Sequence, residues 1–471
     1  MLNFNLRPDA IQPLYRQLVD QIRQQILNGT LAASDRLPPT RAVAQQLGVS
    51  RVTVKSAYEQ LIMEGFLESR QGSGTFVVPL DIINDVSLDA LPKLSDWAIR
   101  AVNIEMHQAQ SKKVEFDFGF GRSFRQLFPY HIWRKLLARY LSTDDLILSR
   151  YGSPAGFAPL RQALAEYLVR VRGVTCSAEQ IIVVNGMQQA IDIVARLLLQ
   201  AGDEVLVESP GYVEAYRLLQ VYGAQLVGLP VDEHGVCVDA ISAESRAKLL
   251  FVTPANQFPC GGTLPLQRRL ALLAWAREQN ALILEDDYDS ELRYDGQRVG
   301  ALQGIDTSGR VIYLGTFSKV LFPALRLAYI VLPPHLIKPF LAAKTLIDRG
   351  SPTLTQAAIT DFLTEGHFDR HVRRLRQTYG ERRKRLVDAL ERHLPHLQVS
   401  PTEAGLHLMV DLPASMDEAD FVRRAAAAGV GVYGAAQYHM LEKPSPAILL
   451  SFSGIADEKI EVGIGRLAQL F

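Results

Sequence analysis

Apolar residues near the start of the chain recur first at helical spacing and then at strand spacing. Leu14, Leu18, Ile22 and Ile26 fall every four residues, which predicts a helix entered at Pro13 and stopped at Gly29. A second helix is expected from a Thr40 cap to Leu47. A third follows from a Ser50 cap to about Gly65, with Val54, Tyr58 and Leu61 turned inward. Gly48 supplies the turn between them, so the pair reads as a helix-turn-helix. Residues 66–69 and 75–78 then alternate like strands around Arg70-Gln71-Gly72-Ser73-Gly74, whose chemistry is that of a hairpin turn. Residues 1–78 are therefore expected to form a winged helix.

Between 79 and about 114 the period is lost, and only a short helix near residues 97–106 is expected in what reads as a linker. Residues 115–471 alternate helical stretches with short β-branched runs at 180–184, 204–207, 249–252, 282–284 and 310–314. Such buried runs predict a mostly parallel sheet, hence an α/β large domain. Beyond about Ser351 the pattern turns helix-rich and ends in a strand-like run at 447–452, which suggests a smaller α+β C-terminal lobe.

The chain has 471 residues, 48% of them apolar, with 50 basic against 50 acidic side chains, so it can bury a sizeable core. At roughly 150 residues per domain, three units fit, as does one large unit with an appendage. No apolar run approaches the ~18 residues of a membrane span, and the N-terminus carries no export signal. A cytoplasmic protein without a membrane partner is expected. Cys176, Cys237 and Cys260 are too few and too scattered for a disulfide framework or a zinc ribbon. Zero net charge excludes a protein coated in basic residues but says little about a small patch.

In the N-terminal segment, Ser50, Arg51, Thr53 and Lys55 bring hydroxyls and cations to the end of the third helix, where a major groove would be read; arginine can pair guanine bidentately. Arg41 and Arg70, the latter beside Gly72-Ser73-Gly74, are placed for phosphate contacts. The plain alternative is a surface helix with solvated charges. The text of the segment, Asp35-Arg36-Leu37-Pro38-Pro39-Thr40-Arg41, Leu47-Gly48-Val49-Ser50-Arg51-Val52-Thr53-Val54 and Gly72-Ser73-Gly74-Thr75-Phe76-Val77, closely resembles the GntR family of winged-helix repressors over nearly all of residues 12–78. The resemblance implies double-stranded promoter DNA as a partner, contacted by Arg41, Ser50, Arg51, Thr53, Lys55 and Gly72, with Arg70 added from its place beside the wing.

A second constellation centres on Gly315-Thr316-Phe317-Ser318-Lys319, with Arg326 seven residues beyond the lysine. An amine beside hydroxyls and an arginine suits a phosphate-bearing aldehyde: the amine forms a Schiff base while Thr316, Ser318 and Arg326 hold the dianion. A lone surface lysine is the commoner fate, so other pieces are required. Glu285-Asp286-Asp287-Tyr288 follows an apolar strand, at the sheet edge where α/β folds bind ligands. Asp286 could protonate a pyridine nitrogen and Tyr288 could meet a phenolic oxygen, although adjacent acids are also a metal-site pattern or a helix start. Asn185-Gly186-Met187-Gln188-Gln189-Ala190 opens a helix whose free amides would face an anion. Gly119-Phe120-Gly121-Arg122 lacks the context of a dinucleotide site and is discounted.

With Pro210-Gly211-Tyr212, Thr253-Pro254-Ala255-Asn256-Gln257-Phe258-Pro259 and Tyr151-Gly152-Ser153-Pro154-Ala155-Gly156, these pieces resemble the aspartate-aminotransferase-like fold over residues 115–471. The resemblance implies pyridoxal 5'-phosphate as cofactor, joined to Lys319. It further implies Asp286 at the ring nitrogen, Tyr288 and Asn256 beside the ring, Tyr212 stacked on it, and Gly186, Met187, Gln188, Ser318 and Arg326 around the phosphate. Tyr151 matches a tyrosine reaching in from a partner subunit, which implies a homodimer.

A GntR-like reader fused to this domain is similar to the MocR subfamily, which implies a head-to-tail dimer that senses a small-molecule amine or pyridoxal phosphate. A working aminotransferase with an appended DNA module is the alternative. Three departures from the pattern stand out. Leu449 occupies the place of the arginine that clamps a substrate carboxylate, Glu214 stands where the GABA-responsive member has arginine, and Met187 replaces a hydroxyl residue in the phosphate cup. The basic run from Arg370 to Arg385 is expected to be a charged helix joining two lobes rather than a second DNA surface.

Overall fold

A computed structural model describes residues 4–80, 93–104, 114–119, 125–142, 149–400, 403–440 and 445–471. Contacts divide the chain into Met1–Lys93 and Leu94–Phe471.

In the first unit, helix Leu14–Leu27 buries Leu18, Val19, Ile22 and Ile26 against helix Arg51–Met63, whose Val54, Ala57, Tyr58 and Leu61 complete the core. The intervening helix Thr40–Leu47 begins with Thr40 itself, and Pro39 takes the cap position expected for Thr40. Proline suits that entry because its fixed φ leads into the first turn. The helix ends at Gly48, whose φ of 65° is the left-handed conformation that glycine adopts without strain. Strands Leu67–Arg70 and Gly74–Val77 pair antiparallel as the hairpin. A two-residue strand, Arg36–Leu37, adds to Gly74–Val77 and was not visible in the periodicity.

The second unit is built on an eight-stranded sheet. Its order is Ile181–Val184, Ala328–Val331, Val311–Thr316, Leu282–Asp287, Leu249–Val252, Glu204–Ser209, Gln225–Asp232 and Gly235–Val236. Five central strands run parallel, while Ala328–Val331 and Gly235–Val236 are antiparallel to their neighbours. Both faces are covered: Ile182, Val184, Ile312 and Leu314 enter one core, and Ile181, Val183, Tyr313 and Tyr329 enter the other. The runs therefore read as continuously apolar rather than alternating.

The expected linker range contains helix Asp96–Asn103, whose Arg100 Nε donates to Val221 O at 2.7 Å and whose Trp97 meets Tyr222 edge-on, so it docks on the second unit. The rest of that range, 81–92 and 105–113, lies outside the described residues, as does most of the discounted glycine motif at 119–122. Helix His367–His393 carries the basic run and packs along helix Asp457–Ala468, with Arg382 buried against Asp457 at 2.6 Å. Beyond it, His407–Asp411, Ala447–Ser451 and Tyr433–Gly434 form a small antiparallel sheet. Strand Phe116–Asp117, from the start of the unit, pairs with Val430–Gly431 in the same lobe. Among the described residues, no helix is long and apolar enough to cross a membrane.

Candidate functional site

Strand alternation sorts the acids of Leu282–Asp287, and all three complete the strand rather than following it. Glu285 accepts the backbone N–H groups of Leu302 and Gln303 at 2.7 and 2.8 Å, and Asp287 pairs with buried Arg172 at 2.7 Å while accepting the Tyr313 hydroxyl. Asp286 alone lines a cavity of about 940 Å³ at the strand's C-terminal end. Among the described residues no group of three or more His, Cys, Asp or Glu could hold a metal ion, so the metal reading of the acidic run finds no support there.

Thr316 at the end of the neighbouring strand Val311–Thr316, and Ser318 and Lys319 just beyond it, line the same cavity; that strand runs parallel, with Asp286 opposite Leu314. Burial lowers the Lys319 amine below the usual lysine range, against the opposing pull of Asp289 and Asp286. Burial likewise raises the Asp286 carboxyl to about 8, with the charge of Asp287 adding to it. Buried Tyr288 is held well above the ordinary phenol value, so its hydroxyl keeps its proton.

Gly186 precedes helix Met187–Leu198 with φ 98°, and a Cβ there would lie 2.6 Å from Arg326 Nη2. The guanidinium thus rests against the helix entrance, where the amide dipoles favour an anion. Met187, Gln188 and Arg326 line the cavity, and the Ser318 N–H donates to Thr316 Oγ1 at 3.1 Å. Tyr212 also lines it, hydrogen-bonded to Gln188 and near-parallel to Phe251 at 6.4 Å.

Asn256 sits behind this wall rather than on it, its Nδ2 donating to Tyr288 Oη at 3.1 Å and to Asp289 Oδ2 at 2.8 Å. Asp289 was missed in the sequence; its link to Asn256 bridges two strand ends far apart along the chain. Tyr151 is 87% exposed and away from the cavity, so one chain alone does not bring it to the site.

This cavity fits pyridoxal phosphate. Among the described residues Asp286 Oδ1 is buried without a hydrogen-bond partner, where a cationic ring nitrogen would satisfy it and return the carboxyl to its ionised form. The arginine cradle that excludes a Cβ at Gly186 suits the phosphate.

In the first unit, Ser50 Oγ accepts the Thr53 N–H at 3.0 Å and so caps helix Arg51–Met63. Arg41 and Arg51 are exposed, with no ion pair among the described residues. Lys55 pairs with Glu59 at 3.4 Å. Arg70 is held by Glu68 at 2.5 Å and lies over Phe76, which fixes the guanidinium on the wing while its side chain stays half exposed. Gly72 is exposed at the hairpin tip with φ 75°. Arg36, unremarked as a contact in the sequence, lies against Gly74 on the wing, 3.0 Å from where a Cβ would stand.

Residues 119–467 match the family of aminotransferases class I and II, and residues 14–77 match the gntR family of bacterial regulatory proteins. The probable rhizopine catabolism regulatory protein MocR of Rhizobium meliloti is 39% identical over 98% of this chain and 94% of its own. The pyridoxine biosynthesis transcriptional regulator PdxR of Corynebacterium glutamicum is 32% identical, covering 92% of this chain and 90% of its own. The α-aminoadipate aminotransferase LysN of Thermus thermophilus, solved with a phosphopyridoxyl-leucine, superposes with a TM-score of 0.74 at 28% identity over 80% of this chain and 96% of its own. A gene-reading winged helix joined to an aminotransferase fold with this chamber defines a pyridoxal-phosphate-dependent transcription regulator. The chain belongs to the MocR subfamily of GntR regulators.

Proposed function

We propose that Lys319 holds the cofactor and that a primary amine entering the same chamber, or the cofactor itself, alters promoter binding by the N-terminal reader. The observation that carries this reading is the facing pair of Lys319, an amine lowered by burial, and Asp286, an acid with one buried oxygen unpartnered. Bound pyridoxal phosphate supplies an aldehyde that condenses reversibly with amines. Around it, Asp286 would hold a proton at the ring nitrogen, Tyr288 would donate at the ring oxygen with Asn256 fixing its hydroxyl, and Tyr212 would cover one ring face. Arg326, Ser318, Gly186, Met187 and Gln188 would surround the phosphate. Met187 offers no hydroxyl there, which lowers cofactor retention by about 1 kcal/mol.

The regulator acts as a head-to-tail homodimer in the cytoplasm, where its DNA lies. Exposed Tyr151 supports this assembly, because it is available to a second copy's phosphate site. On the reader, Arg41, Ser50, Arg51, Thr53, Lys55, Arg70 and Gly72 form the DNA face. Net transamination is not its task. Strand Ala447–Ser451 carries Leu449, fully buried on the same face as the cavity-lining Ser451, where a substrate carboxylate would need a cation.

Mixing the purified chain with pyridoxal phosphate tests the site. A visible absorbance band, bleached by borohydride and absent in Lys319→Ala, is expected; a wild-type protein that stays colourless contradicts it. Sustained turnover of an amino acid and keto acid pair would instead favour the aminotransferase.

A further inference from the structure

We propose that the effector is an organic amine without a carboxylate, bearing a hydroxyl or a second ammonium that meets Glu214. This rests on the functional reading above. A cavity of about 940 Å³ is near the top of the roughly 300–1,000 Å³ range of small-molecule sites, which leaves room beyond a one-ring cofactor.

Of the charged groups in the lining, Lys319, Asp286 and Arg326 are engaged with the cofactor under that reading. The lining also carries the carboxylates Asp117, Glu214 and Glu418 and the neutral polar groups of Tyr433, Tyr438 and Ser453. Asp117 Oδ1 accepts the Gly119 N–H at 2.9 Å, and Glu418 accepts the N–H groups of Ala436 and Ala447 at 3.1 and 3.2 Å, so both are held by backbone. Among the described residues Glu214 pairs with Arg217 alone, at 2.8 Å on one oxygen, and its side chain is 43% exposed. It is therefore the acid best placed to accept a new donor.

Among the described residues, Arg423 is the lining cation that the cofactor does not engage under that reading. Arg423 is 72% exposed and pairs with Asp420 at 2.8 Å, while Arg217 is outside the lining and bound to Glu214. His407 is brought down to about 4 by burial and donates from Nε2 to Pro259 O at 2.9 Å, so it stays uncharged at neutral pH. Leu449 is apolar. A carboxylate entering here would lose its hydration without a charged partner and would face Glu214, whereas an ammonium or hydroxyl would gain a charge-assisted hydrogen bond.

Three amines of equal chain length test this: putrescine, γ-aminobutanol and γ-aminobutyrate, each titrated into the cofactor-loaded full chain while the visible band and thermal stability are followed. Putrescine and γ-aminobutanol are expected to bind at least about tenfold more tightly than γ-aminobutyrate. Glu214→Arg, at a partly exposed position, is expected to erase or invert that order, with Glu214→Gln, which keeps the side chain's size, expected to weaken it. A coloured wild-type protein that accepts γ-aminobutyrate equally or better, or that ignores all three amines, overturns the inference. A protein that never colours fails the functional reading instead, and borohydride bleaching tells the two failures apart.

Discussion

Asp286 shows how one position in a strand acquires its chemistry. Its neighbours Glu285 and Asp287 turn to the other face, Glu285 onto backbone N–H groups and Asp287 onto Arg172 through one oxygen, so of the three only Asp286 reaches the cavity, and it does so with an unpartnered oxygen. The unfolded carboxyl releases its proton near 3.8, whereas the folded one keeps it to about 8. Between those values the folded chain holds more protons than the unfolded chain, and stability falls as pH rises through the window. Cofactor-free wild type is therefore expected to lose more thermal stability between about pH 5 and pH 8 than Asp286→Asn, with bound cofactor reversing the loss. Glu208, Glu285 and Glu291 are also raised by burial but are common to both proteins, so the difference reports on Asp286 together with the groups it couples to, Lys319 and Glu208. At the reader, Arg51→Ala should weaken operator binding by about 1–3 kcal/mol, while Arg41→Ala should lower the salt slope by about one on any sequence. Filter binding on operator and random DNA at several salt concentrations separates the two.

Elements differ in how far their sequence announces them. Helix Leu14–Leu27 and the Ser50 cap were legible because their determinants lie within one or two turns of each other. The lysine and the acids were legible because the candidate site sits at strand ends, next to apolar runs that are easy to find. Strand Arg36–Leu37 was not, since two residues carry no period and its partner lies some forty positions on. The same holds for the docking of Asp96–Asn103, for Phe116–Asp117 beside Val430–Gly431, and for Asp289 beside Asn256, all of which are long-range pairings. Two changes probe these elements. Ser50→Ala removes the N-cap and should destabilise helix Arg51–Met63 by about 1 kcal/mol, read as faster amide exchange in its first turn. Gly186→Ala puts a methyl 2.6 Å from Arg326 Nη2 at a φ of 98°, so cofactor affinity should fall about tenfold or more in a spectral titration.

For the whole chain, regulation requires that the chamber's ligand bind one arrangement of the protein better than another; tight binding that does not discriminate shifts nothing. A coupling of about 1–3 kcal/mol, or roughly 5–150-fold in affinity, is ordinary for such systems. The linkage is reciprocal, so operator DNA should change the amine's apparent affinity by the same factor. The most direct test is the operator affinity of the full-length, cofactor-loaded protein with and without its amine, in wild type and in Lys319→Ala. Wild-type affinity should shift within that range and the variant's should stay put. Identical operator affinity in every state, or an equal shift in Lys319→Ala, would contradict the account.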